Sequence, residues 1–244
     1  MIRQAVILAG GRGTRLGSIT SNTPKPLLPV GGRPFIEYII WNLKRYSIKD
    51  ILLSVGYLGY KMAEHLGDGR KLGVDIDYCF ESRPAGTGGA FLLAKRKLDP
   101  EFFVINGDTI FDINYHDLAT LRKGTNAMAA VALRKVDVVH RYGSVALDGE
   151  LISGFHEKAS TGPGIVNGGV YAMTRDCIAC IRSVPYSLES DLFPEIASNG
   201  NLAGRLYDGF FIDIGLPETW RDANSVVPSW QKQIISLTAS FNTE

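Results

Sequence analysis

The stretch from Gln4 to Val30 reads QAVILAGGRGTRLGSITSNTPKPLLPV. It opens on an apolar run, residues 5–9, that contains β-branched side chains and ends at a glycine, which predicts a buried strand. The strand leads directly into a glycine-rich loop at residues 10–15, whose backbone N–H groups can line up as an anion nest. This order of strand and loop places a ligand at the carboxyl end of the first strand.

Three cations stand in or shortly after this loop: Arg12, Arg15 and Lys25. Pro24 and Pro26 flank the lysine and are expected to hold it in an extended conformation, because proline restricts its own φ and the residue before it. An uncharged or singly charged ligand would not need so many cations. The pattern therefore favours a polyphosphate over the alternative, which is a surface turn with scattered basic residues.

Two common glycine-loop patterns do not fit this stretch. A P-loop would end in Gly-Lys-Ser or Gly-Lys-Thr, and no such triplet follows. A dinucleotide-binding fingerprint that started at Gly11 would need its third glycine where the chain has Leu16. The loop therefore belongs to a different class of phosphate-binding site.

The stretch resembles the signature of the sugar-1-phosphate nucleotidyltransferases, which is G-G-x-G-T-R-L followed by P-K-P-L-x-P. The resemblance implies that the loop wraps a nucleoside triphosphate and that Arg15 and Lys25 are catalytic residues facing its phosphates. It also implies a wider set of nucleotide-binding residues in this stretch, namely Leu8, Ala9, Gly10, Gly11, Gly13, Thr14 and Arg15. Ser18 departs from the pattern, since many members carry proline there, and moves the chain away from the thymidylyl- and glucose-using branches.

The composition of the 244-residue chain is ordinary for a soluble globular protein, with 45% hydrophobic and 21% charged residues. The formal net charge of +1 implies neither a nucleic-acid partner nor a membrane surface. We expect a cytoplasmic protein, because no apolar run approaches a membrane span and the N-terminus enters the first strand without a signal peptide. Cys177 and Cys180 form a C-x-x-C pair, which we interpret as reduced structural thiols and not as a metal or redox site.

Helical and extended patterns alternate through the first half of the chain. The predicted helices cover residues 34–46, 57–66 and 87–98, and the further predicted strands cover 51–55, 75–80 and 102–105. Strands that alternate with helices predict a mostly parallel sheet with helices on both faces, which binds ligands at the carboxyl ends of its strands. The expected fold class is therefore α/β, with a Rossmann-like sheet.

The pattern changes after about residue 123, where short strands are separated by turn residues. These strands are predicted at 127–133, 143–147 and 151–156, with Asp148-Gly149 as a hairpin signal. We expect them to form a small antiparallel lobe that covers the sugar. The chain would then be a single domain, 1–244, made of a nucleotide-binding half (1–123), a sugar-binding half (124–215) and C-terminal helices (216–244).

The third predicted strand exits into residues 81–90, which read ESRPAGTGGA. Thr87 can cap the following helix, and the glycines let a flat ligand approach the backbone. The segment resembles the base-reading loop of the family, which implies nucleotide-binding roles for Glu81, Gly86 and Thr87. A carboxylate only accepts hydrogen bonds, so Glu81 favours guanine, whose N1–H and 2-amino donors lie side by side, over uracil or thymine. The alternative is a surface glutamate paired with Arg83.

The fourth predicted strand ends in Asn106-Gly107-Asp108. This places a carboxylate at the ligand edge, where it can hold Mg²⁺ against phosphate oxygens; a loop aspartate bonded to its own turn is the alternative. In the family this aspartate is a metal ligand, and a later apolar strand that ends at Asp213 resembles the second metal carboxylate. The resemblance therefore implies Mg²⁺ as the cofactor, held by Asp108 and Asp213, with Asp108 also part of the nucleotide-binding set.

Two segments of the second half resemble the family's sugar-binding motifs. Glu157-Lys158 resembles the E-K pair, in which the lysine holds the sugar 1-phosphate; a solvated surface lysine is the alternative for Lys158. Asn167 and Gly168 lie in a segment that resembles N-x-G-x-Y, whose asparagine and backbone contact sugar hydroxyls. These four residues are the expected sugar-phosphate-binding set.

Two further features of the second half concern its helices. Ser190 and Asp191, near the start of a predicted helix, can form an edge of the sugar pocket. Pro217 is expected to open the final helical segment and Pro228 to interrupt it. No hexapeptide repeat follows, so the sequence shows no sign of the β-helix domain that many larger relatives carry.

The resemblance runs from Gln4 to about Trp220 and implies transfer of GMP from GTP to a sugar 1-phosphate, with release of pyrophosphate. The short length, the missing β-helix domain, Glu81 and Ser18 together resemble the branch that uses D-glycero-α-D-manno-heptose 1-phosphate in bacterial surface-polysaccharide pathways. Mannose 1-phosphate with GTP is the first alternative, and a uridylyl- or thymidylyltransferase is the next. A glycosyltransferase and a non-catalytic regulatory paralogue are the alternatives from other classes. The sequence leaves the oligomeric state open, with a homodimer as one option.

Overall fold

The computed structural model describes residues 1–137, 144–156 and 162–241. The strands, in chain order, are β1 (Gln4–Ala9), β2 (Pro29–Val30), β3 (Arg33–Pro34), β4 (Asp50–Val55), β5 (Asp75–Phe80), β6 (Glu101–Asn106), β7 (Thr109–Phe111), β8 (Ala129–Val136), β9 (Ser144–Asp148), β10 (Leu151–His156), β11 (Gly164–Thr174), β12 (Leu202–Leu206) and β13 (Phe211–Asp213). The α-helices are α1 (Phe35–Arg45), α2 (Gly59–Leu66), α3 (Gly86–Ala94), α4 (Tyr115–Gly124), α5 (Phe193–Ser198) and α6 (Pro217–Phe241).

Nine of the described strands form one mixed sheet in the order β5-β4-β1-β6-β11-β8-β12-β10-β9. β5, β4, β1 and β6 run parallel, and β11 then joins β6 in the antiparallel direction. The antiparallel strands expected in the second half are present, and they continue the same sheet instead of standing apart from it. The α/β fold class with a mixed sheet is thus confirmed.

Alternate residues of β1 face opposite sides of the sheet, and helices cover both sides. Ala5 and Ile7 belong to one core cluster, to which α1, α2, α4 and α6 contribute. Val6 belongs to a second cluster, to which α3 and α5 contribute. Because both faces of the strand are buried, its sequence is apolar along most of its length and does not alternate.

The predicted elements of the first half agree with the structure to within a few residues. The strand predicted at 75–80 coincides with β5, and the helix predicted at 34–46 differs from α1 by one residue at each end. The helix predicted at 87–98 is shorter, since α3 ends at Ala94. The hairpin signal at Asp148-Gly149 is confirmed, because β9 and β10 pair antiparallel across this turn and Gly149 has a φ of 60°.

Two predictions about proline are wrong. Lys25 is not extended but begins a short 3₁₀ helix, Lys25–Leu27, because Leu27 N–H donates to the Pro24 carbonyl and Leu28 N–H to the Lys25 carbonyl. Pro228 does not interrupt the last helix either, since α6 runs through it without a break. Tertiary packing outweighs the lost hydrogen bond there. Across the described residues, no helix combines the length and apolar character that crossing a bilayer requires.

The C-terminal helix α6 is anchored by tryptophan. Trp230 is buried, meets Trp41 edge-on at a ring-centroid distance of 5.4 Å and stacks on Phe210 at 5.1 Å. Its Nε1 donates to Asp112 Oδ2 at 3.1 Å. About three turns closer to the start of the helix, Trp220 Nε1 donates to the Pro29 carbonyl at 3.0 Å. These contacts fix the middle of α6 against α1 and the residues next to β7 and β13, and its start against β2.

Gly31, in the turn between β2 and β3, has a φ of +57°, and a Cβ atom at this position would lie 2.3 Å from Pro228 Cγ. We expect Gly31→Ala to lower the free energy of unfolding by about 1–2 kcal/mol for the left-handed conformation and by a further 1–3 kcal/mol, roughly, for the clash. Gly32→Ala is the matched control, because Gly32 also has a positive φ (84°) but no atom lies within 4 Å of its Cβ position. Urea denaturation of both variants measures the difference, and equal losses would contradict the docking of α6 through Gly31.

Candidate active site

A cavity of about 330 Å³ lies at the carboxyl ends of β1 and β6, next to the start of α3. It is lined by Leu8, Ala9, Gly10, Gly11, Lys25, Pro26, Glu81, Pro84, Gly86, Thr87, Ala90, Asn106, Gly107 and Asp108. Parallel sheets bind ligands at this edge because the strand-to-helix loops meet there. The structure therefore brings most of the residues expected to bind the nucleotide to one cavity.

Glycines follow three neighbouring strands at this edge of the sheet: Gly10 after β1, Gly56 after β4 and Gly107 after β6. A Cβ atom at Gly56 would lie 2.8 Å from the Gly10 carbonyl oxygen, and one at Gly107 would lie 2.7 Å from the Leu8 carbonyl oxygen. Distances this short leave no room for a side chain. The three loops therefore pack main chain against main chain, and a ligand can approach the backbone closely.

Lys25 and Asp108 form an ion pair at one end of the cavity, with Lys25 Nζ 2.6 Å from Asp108 Oδ2. The two side chains are only 12% and 27% exposed. The short helix that begins at Lys25 aims the lysine inward, and the Lys25 Cε lies 3.3 Å from the Cβ position of Gly13. Lys25 and the carboxylate that follows β6 thus meet, although they are 83 residues apart.

Asp213 is brought next to Asp108 by a two-stranded ribbon. β13 pairs antiparallel with β7, so that Asp213 lies opposite Thr109, and Ile214 N–H donates to the Asp108 carbonyl at 2.9 Å. Carboxylate oxygens are the ligands that Mg²⁺ prefers, and it usually takes one or two of them together with substrate phosphates and water. No cluster of three or more acidic, histidine or cysteine ligands occurs in the described residues. A pair of aspartates fits a metal that binds together with a nucleotide.

Arg15 lies in the first 3₁₀ helix, Thr14–Thr20, and its side chain is exposed. The Cβ position of Gly215 lies 3.5 Å from Arg15 Nη2 and 2.9 Å from Asp213 Oδ1. The guanidinium group is therefore near the second aspartate. Arg15, Gly13, Thr14 and Asp213 stand beside the cavity and not among the residues that line it.

The Glu81 carboxylate is held in a slot between three groups. Ser54 Oγ donates to Glu81 Oε1 at 3.1 Å, and Ala85 N–H donates to Glu81 Oε2 at 3.1 Å. The Cβ position of Gly10 lies 2.6 Å from Glu81 Oε1, so only glycine leaves the carboxylate this room. The residue lines the cavity, and among the described contacts its partners are Ser54 and Ala85 in place of the surface pair with Arg83.

Thr87 does not cap α3; the residue before the helix is Ala85, which makes no side-chain cap. Thr87 Oγ1 instead donates to Glu189 Oε2 at 2.8 Å, and Tyr171 donates to Glu189 Oε1 at 3.2 Å. Asn167 Nδ2 in turn donates to the Tyr171 hydroxyl at 2.9 Å. Hydrogen bonds thus connect the loop at residues 81–90, which is expected to read the base, to the segment expected to contact the sugar.

The Tyr171 hydroxyl in this chain of bonds is completely buried. Burial raises the pKa of Tyr171 well above its usual value, and the negative charge of Glu189 raises it further, while hydrogen bonds from Asn167 and Asn106 act in the opposite direction. The hydroxyl therefore stays protonated at neutral pH and donates to Glu189. Tyr171 and Glu189 together fix the side chains of Thr87 and Asn167 through hydrogen bonds.

The structure gives a mixed picture of the residues expected to bind the sugar. Asn167 is partly buried, and its Oδ1 accepts from Gly169 N–H at 2.8 Å. Gly168 packs against the Phe111 ring, since its Cβ position would lie 2.4 Å from a ring carbon, and it does not line the cavity. Glu157 and Lys158 lie outside the described residues.

Sequence reasoning missed several residues of the site. Asn106, Gly107, Pro26, Pro84 and Ala90 line the cavity without having been assigned a role. Glu189 faces the site, whereas Ser190 and Asp191, the residues that the sequence suggested, are exposed. The available signal for Ser54 was its place as the one hydroxyl in the apolar strand DILLSV. No sequence pattern identifies Glu189, because a π-helical turn, Leu188–Leu192, determines which of these side chains points toward the site.

The C-x-x-C pair lies away from this site. Cys177 is fully buried in a 3₁₀ helix, and burial, with a smaller contribution from Cys180, raises the pKa of Cys177 to about 12. A thiol with this pKa carries almost no thiolate at neutral pH. Cys79, Cys177 and Cys180 are free cysteines, and the interpretation of the pair as structural thiols stays a prediction.

Fold and site together define a nucleotidyltransferase: residues 4–229 match the family described as nucleotidyl transferase, and the chain belongs to that family. Nucleotidyltransferases of this family generally use a divalent metal ion.

Similarity to individual members of the family gives a more specific comparison than the family model does. The chain is 36% identical to D-glycero-alpha-D-manno-heptose 1-phosphate guanylyltransferase of Aneurinibacillus thermoaerophilus, over 90% of this chain and 96% of the relative. It is 34% identical to a probable mannose-1-phosphate guanylyltransferase of Oryza sativa, of which it spans 62%. Among solved structures, HddC from Yersinia pseudotuberculosis complexed with GMP-PN is similar, with a TM-score of 0.80 and 31% identity over 91% of this chain and 98% of that one.

Proposed function

We propose that this chain is a sugar-1-phosphate guanylyltransferase that transfers GMP from GTP to D-glycero-α-D-manno-heptose 1-phosphate and releases pyrophosphate. The observation that carries the proposal is the arrangement of charge in the cavity. An acceptor, the Glu81 carboxylate, stands in the cavity together with the Lys25–Asp108 pair. A purine nucleotide can therefore place its base at Glu81 and its phosphates at Lys25.

The base assignment follows from hydrogen-bond chemistry. Guanine presents N1–H and its 2-amino group as two adjacent donors, and a carboxylate accepts both. Ser54 and Ala85 each use one acceptor position of Glu81, which leaves further positions on each oxygen for the base. The name of the heptose-specific relative and the guanine nucleotide in the similar structure support the same base.

The chemistry rests on positioning and charge. A sugar phosphate is largely dianionic at neutral pH, so its oxygen attacks the α-phosphorus of GTP without a general base. The new bond joins that oxygen to the α-phosphorus, and the bond to the bridging oxygen breaks, so that pyrophosphate leaves with the electron pair. Arg15 and Lys25 neutralise the charge that builds on these groups. Asp108 and Asp213 would hold Mg²⁺, which supplies further charge neutralisation on phosphate oxygens when bound.

The sugar half of the proposal rests on the relatives and on the sequence motifs. Lys158 would aim the attacking phosphate, and Asn167 would contact sugar hydroxyls beside the chain of bonds that includes Thr87. The heptose is preferred because the chain covers nearly all of the heptose-specific relative. Mannose 1-phosphate is the second candidate, favoured by the similarity to the plant enzyme. A cytoplasmic location, a role in surface-polysaccharide synthesis, the division into halves and a homodimer stay predictions.

The test is Mg²⁺-dependent pyrophosphate release from each of five nucleoside triphosphates, paired with heptose, mannose, glucose and N-acetylglucosamine 1-phosphates. We expect release with GTP and the heptose phosphate. Release with dTTP or UTP alone would discard the base assignment and keep the family. If a folded protein released no pyrophosphate with any pair, the proposed activity would be contradicted. A regulatory nucleotide-sugar binder or a glycosyltransferase would then be favoured.

A further inference from the structure

We infer that Ser54 is the positioning residue that sets the guanine preference, because its hydroxyl fixes the carboxylate of Glu81. The inference rests on the proposed function and adds to it a residue that touches neither substrate nor metal. No sequence motif points to this serine. Its position in an apolar strand marks it as unusual, and its link to the site emerges from the contacts of Glu81.

Ser54 is the second-last residue of β4 and is only 1% exposed. In the sheet register it lies between Leu8 of β1, which lines the cavity, and Cys79 of β5, two residues before Glu81. A buried hydroxyl in an apolar strand is costly unless it is hydrogen-bonded. Its bond is to Glu81 Oε1, at 3.1 Å.

The remaining contacts of Glu81 show why this bond matters. Ala85 N–H holds the other oxygen, and the main chain of Gly10 stands against Oε1. A carboxylate has about four acceptor positions, of which these two donors occupy two. The slot therefore fixes the plane of the carboxylate and leaves one acceptor position on each oxygen. Two parallel acceptors match the two adjacent donors of guanine.

Loss of the Ser54 hydroxyl would leave Glu81 Oε1 without the hydrogen bond that fixes it. The carboxylate could then rotate about its last bond, and only one oxygen would stay aligned with the base. The bond to N1–H can survive such a rotation, whereas the simultaneous bond to the 2-amino group cannot. The effect should therefore fall on the 2-amino group of GTP and spare the phosphates, which are held elsewhere by Arg15 and Lys25.

The experiment compares GTP with inosine triphosphate, which lacks the 2-amino group, at saturating heptose 1-phosphate. We expect Ser54→Ala to lower the ratio of the two kcat/KM values about tenfold, through a higher KM for GTP with kcat near that of the wild type. Ser153→Ala is the matched control, because that serine is exposed on β10 and bonds only the Ala146 carbonyl among the described contacts. It should leave the ratio unchanged.

Each outcome decides one of the two proposals. An equal loss with both nucleotides, or a loss confined to kcat, would overturn the role of Ser54 and leave the proposed function standing. A wild-type enzyme that uses GTP and inosine triphosphate equally would overturn the base-reading role of Glu81 and with it this inference. A wild-type enzyme that uses only a pyrimidine nucleotide would overturn the proposed function itself.

A second variant tests the same inference if Ser54→Ala does not fold. Ser54→Cys keeps the size of the side chain with a weaker donor. We expect a ratio between those of the wild type and Glu81→Gln, the variant that exchanges one acceptor of the carboxylate for a donor. A folded cysteine variant with the wild-type ratio would overturn the inference.

Discussion

Arg15→Ala is expected to lower kcat by about 10³-fold, since an arginine that neutralises the charge of a phosphoryl transfer is worth about 10³–10⁵ in rate. The side chain is exposed and lies near Gly215 and the partly exposed Asp213, so its removal should cost little stability. The variant should unfold at the same temperature as the wild type. Steady-state kinetics with GTP and heptose 1-phosphate, next to a thermal melt, measures both quantities.

The matched control for this variant is Arg70→Ala. Arg70 is also exposed and carries a surface ion pair with Asp68 at 2.6 Å, but it lies near the amino end of β5, at the opposite edge of the sheet from the cavity. Its loss should leave kcat unchanged. Near-normal turnover in Arg15→Ala would remove Arg15 from the proposed chemistry, whatever the melt shows.

Asp108→Asn is expected to lower kcat by about 10³-fold as well, because it removes a charge where preorganised electrostatics supports the reaction. The amide keeps the shape of the carboxylate, and the bond between the Asp108 carbonyl and Ile214 N–H is untouched. Lys25 loses the anion that stands 2.6 Å from its Nζ. The variant should also need more Mg²⁺ for half-maximal rate, which a titration of the metal measures.

Asp112→Asn serves as the comparison for this second variant. Asp112 follows in the same segment, but its carboxylate binds Arg45 Nη1 at 3.0 Å and Trp230 Nε1 at 3.1 Å. Its replacement should lower stability and leave kcat and the Mg²⁺ requirement near those of the wild type. If Asp108→Asn kept wild-type turnover and metal dependence, Asp108 would have no part in metal binding.

The residues that the sequence assigns to nucleotide binding mostly line one cavity, and the sequence could group them because many of them lie close together in the chain. Residues 4–30 carry a buried strand, a glycine loop and the cations that are expected to be catalytic in one continuous run, and this pattern also leads to the family. The alternation of strands and helices predicts the parallel part of the sheet for the same reason. Hydrophobic periodicity and turn residues act over a few neighbouring positions, and this local information is sufficient to predict the strand, the loop and the parallel strands.

The remaining parts of the site depend on contacts between distant segments. The sequence predicts the strand that ends at Asp213, but it does not predict the ribbon of β7 and β13 that brings Asp213 next to Asp108, because this ribbon lies outside the central sheet. Glu189 faces Thr87 across 102 residues of sequence, in a turn whose π geometry changes which side chain points inward. The roles of the individual site residues stay predictions until the variants are measured.

The edge where Gly10, Gly56 and Gly107 meet divides the cavity into a fixed part and an adjustable part. A Cβ atom at Gly56 or Gly107 would meet a main-chain oxygen, and one at Gly10 would meet the Glu81 carboxylate, so none of the three positions has room for a side chain. Glu81 and Thr87, by contrast, reach the cavity with side chains that other residues could replace. A library that seeks a new nucleotide preference would therefore keep the three glycines and randomise the rim, because altered selectivity can arise there without rebuilding the scaffold.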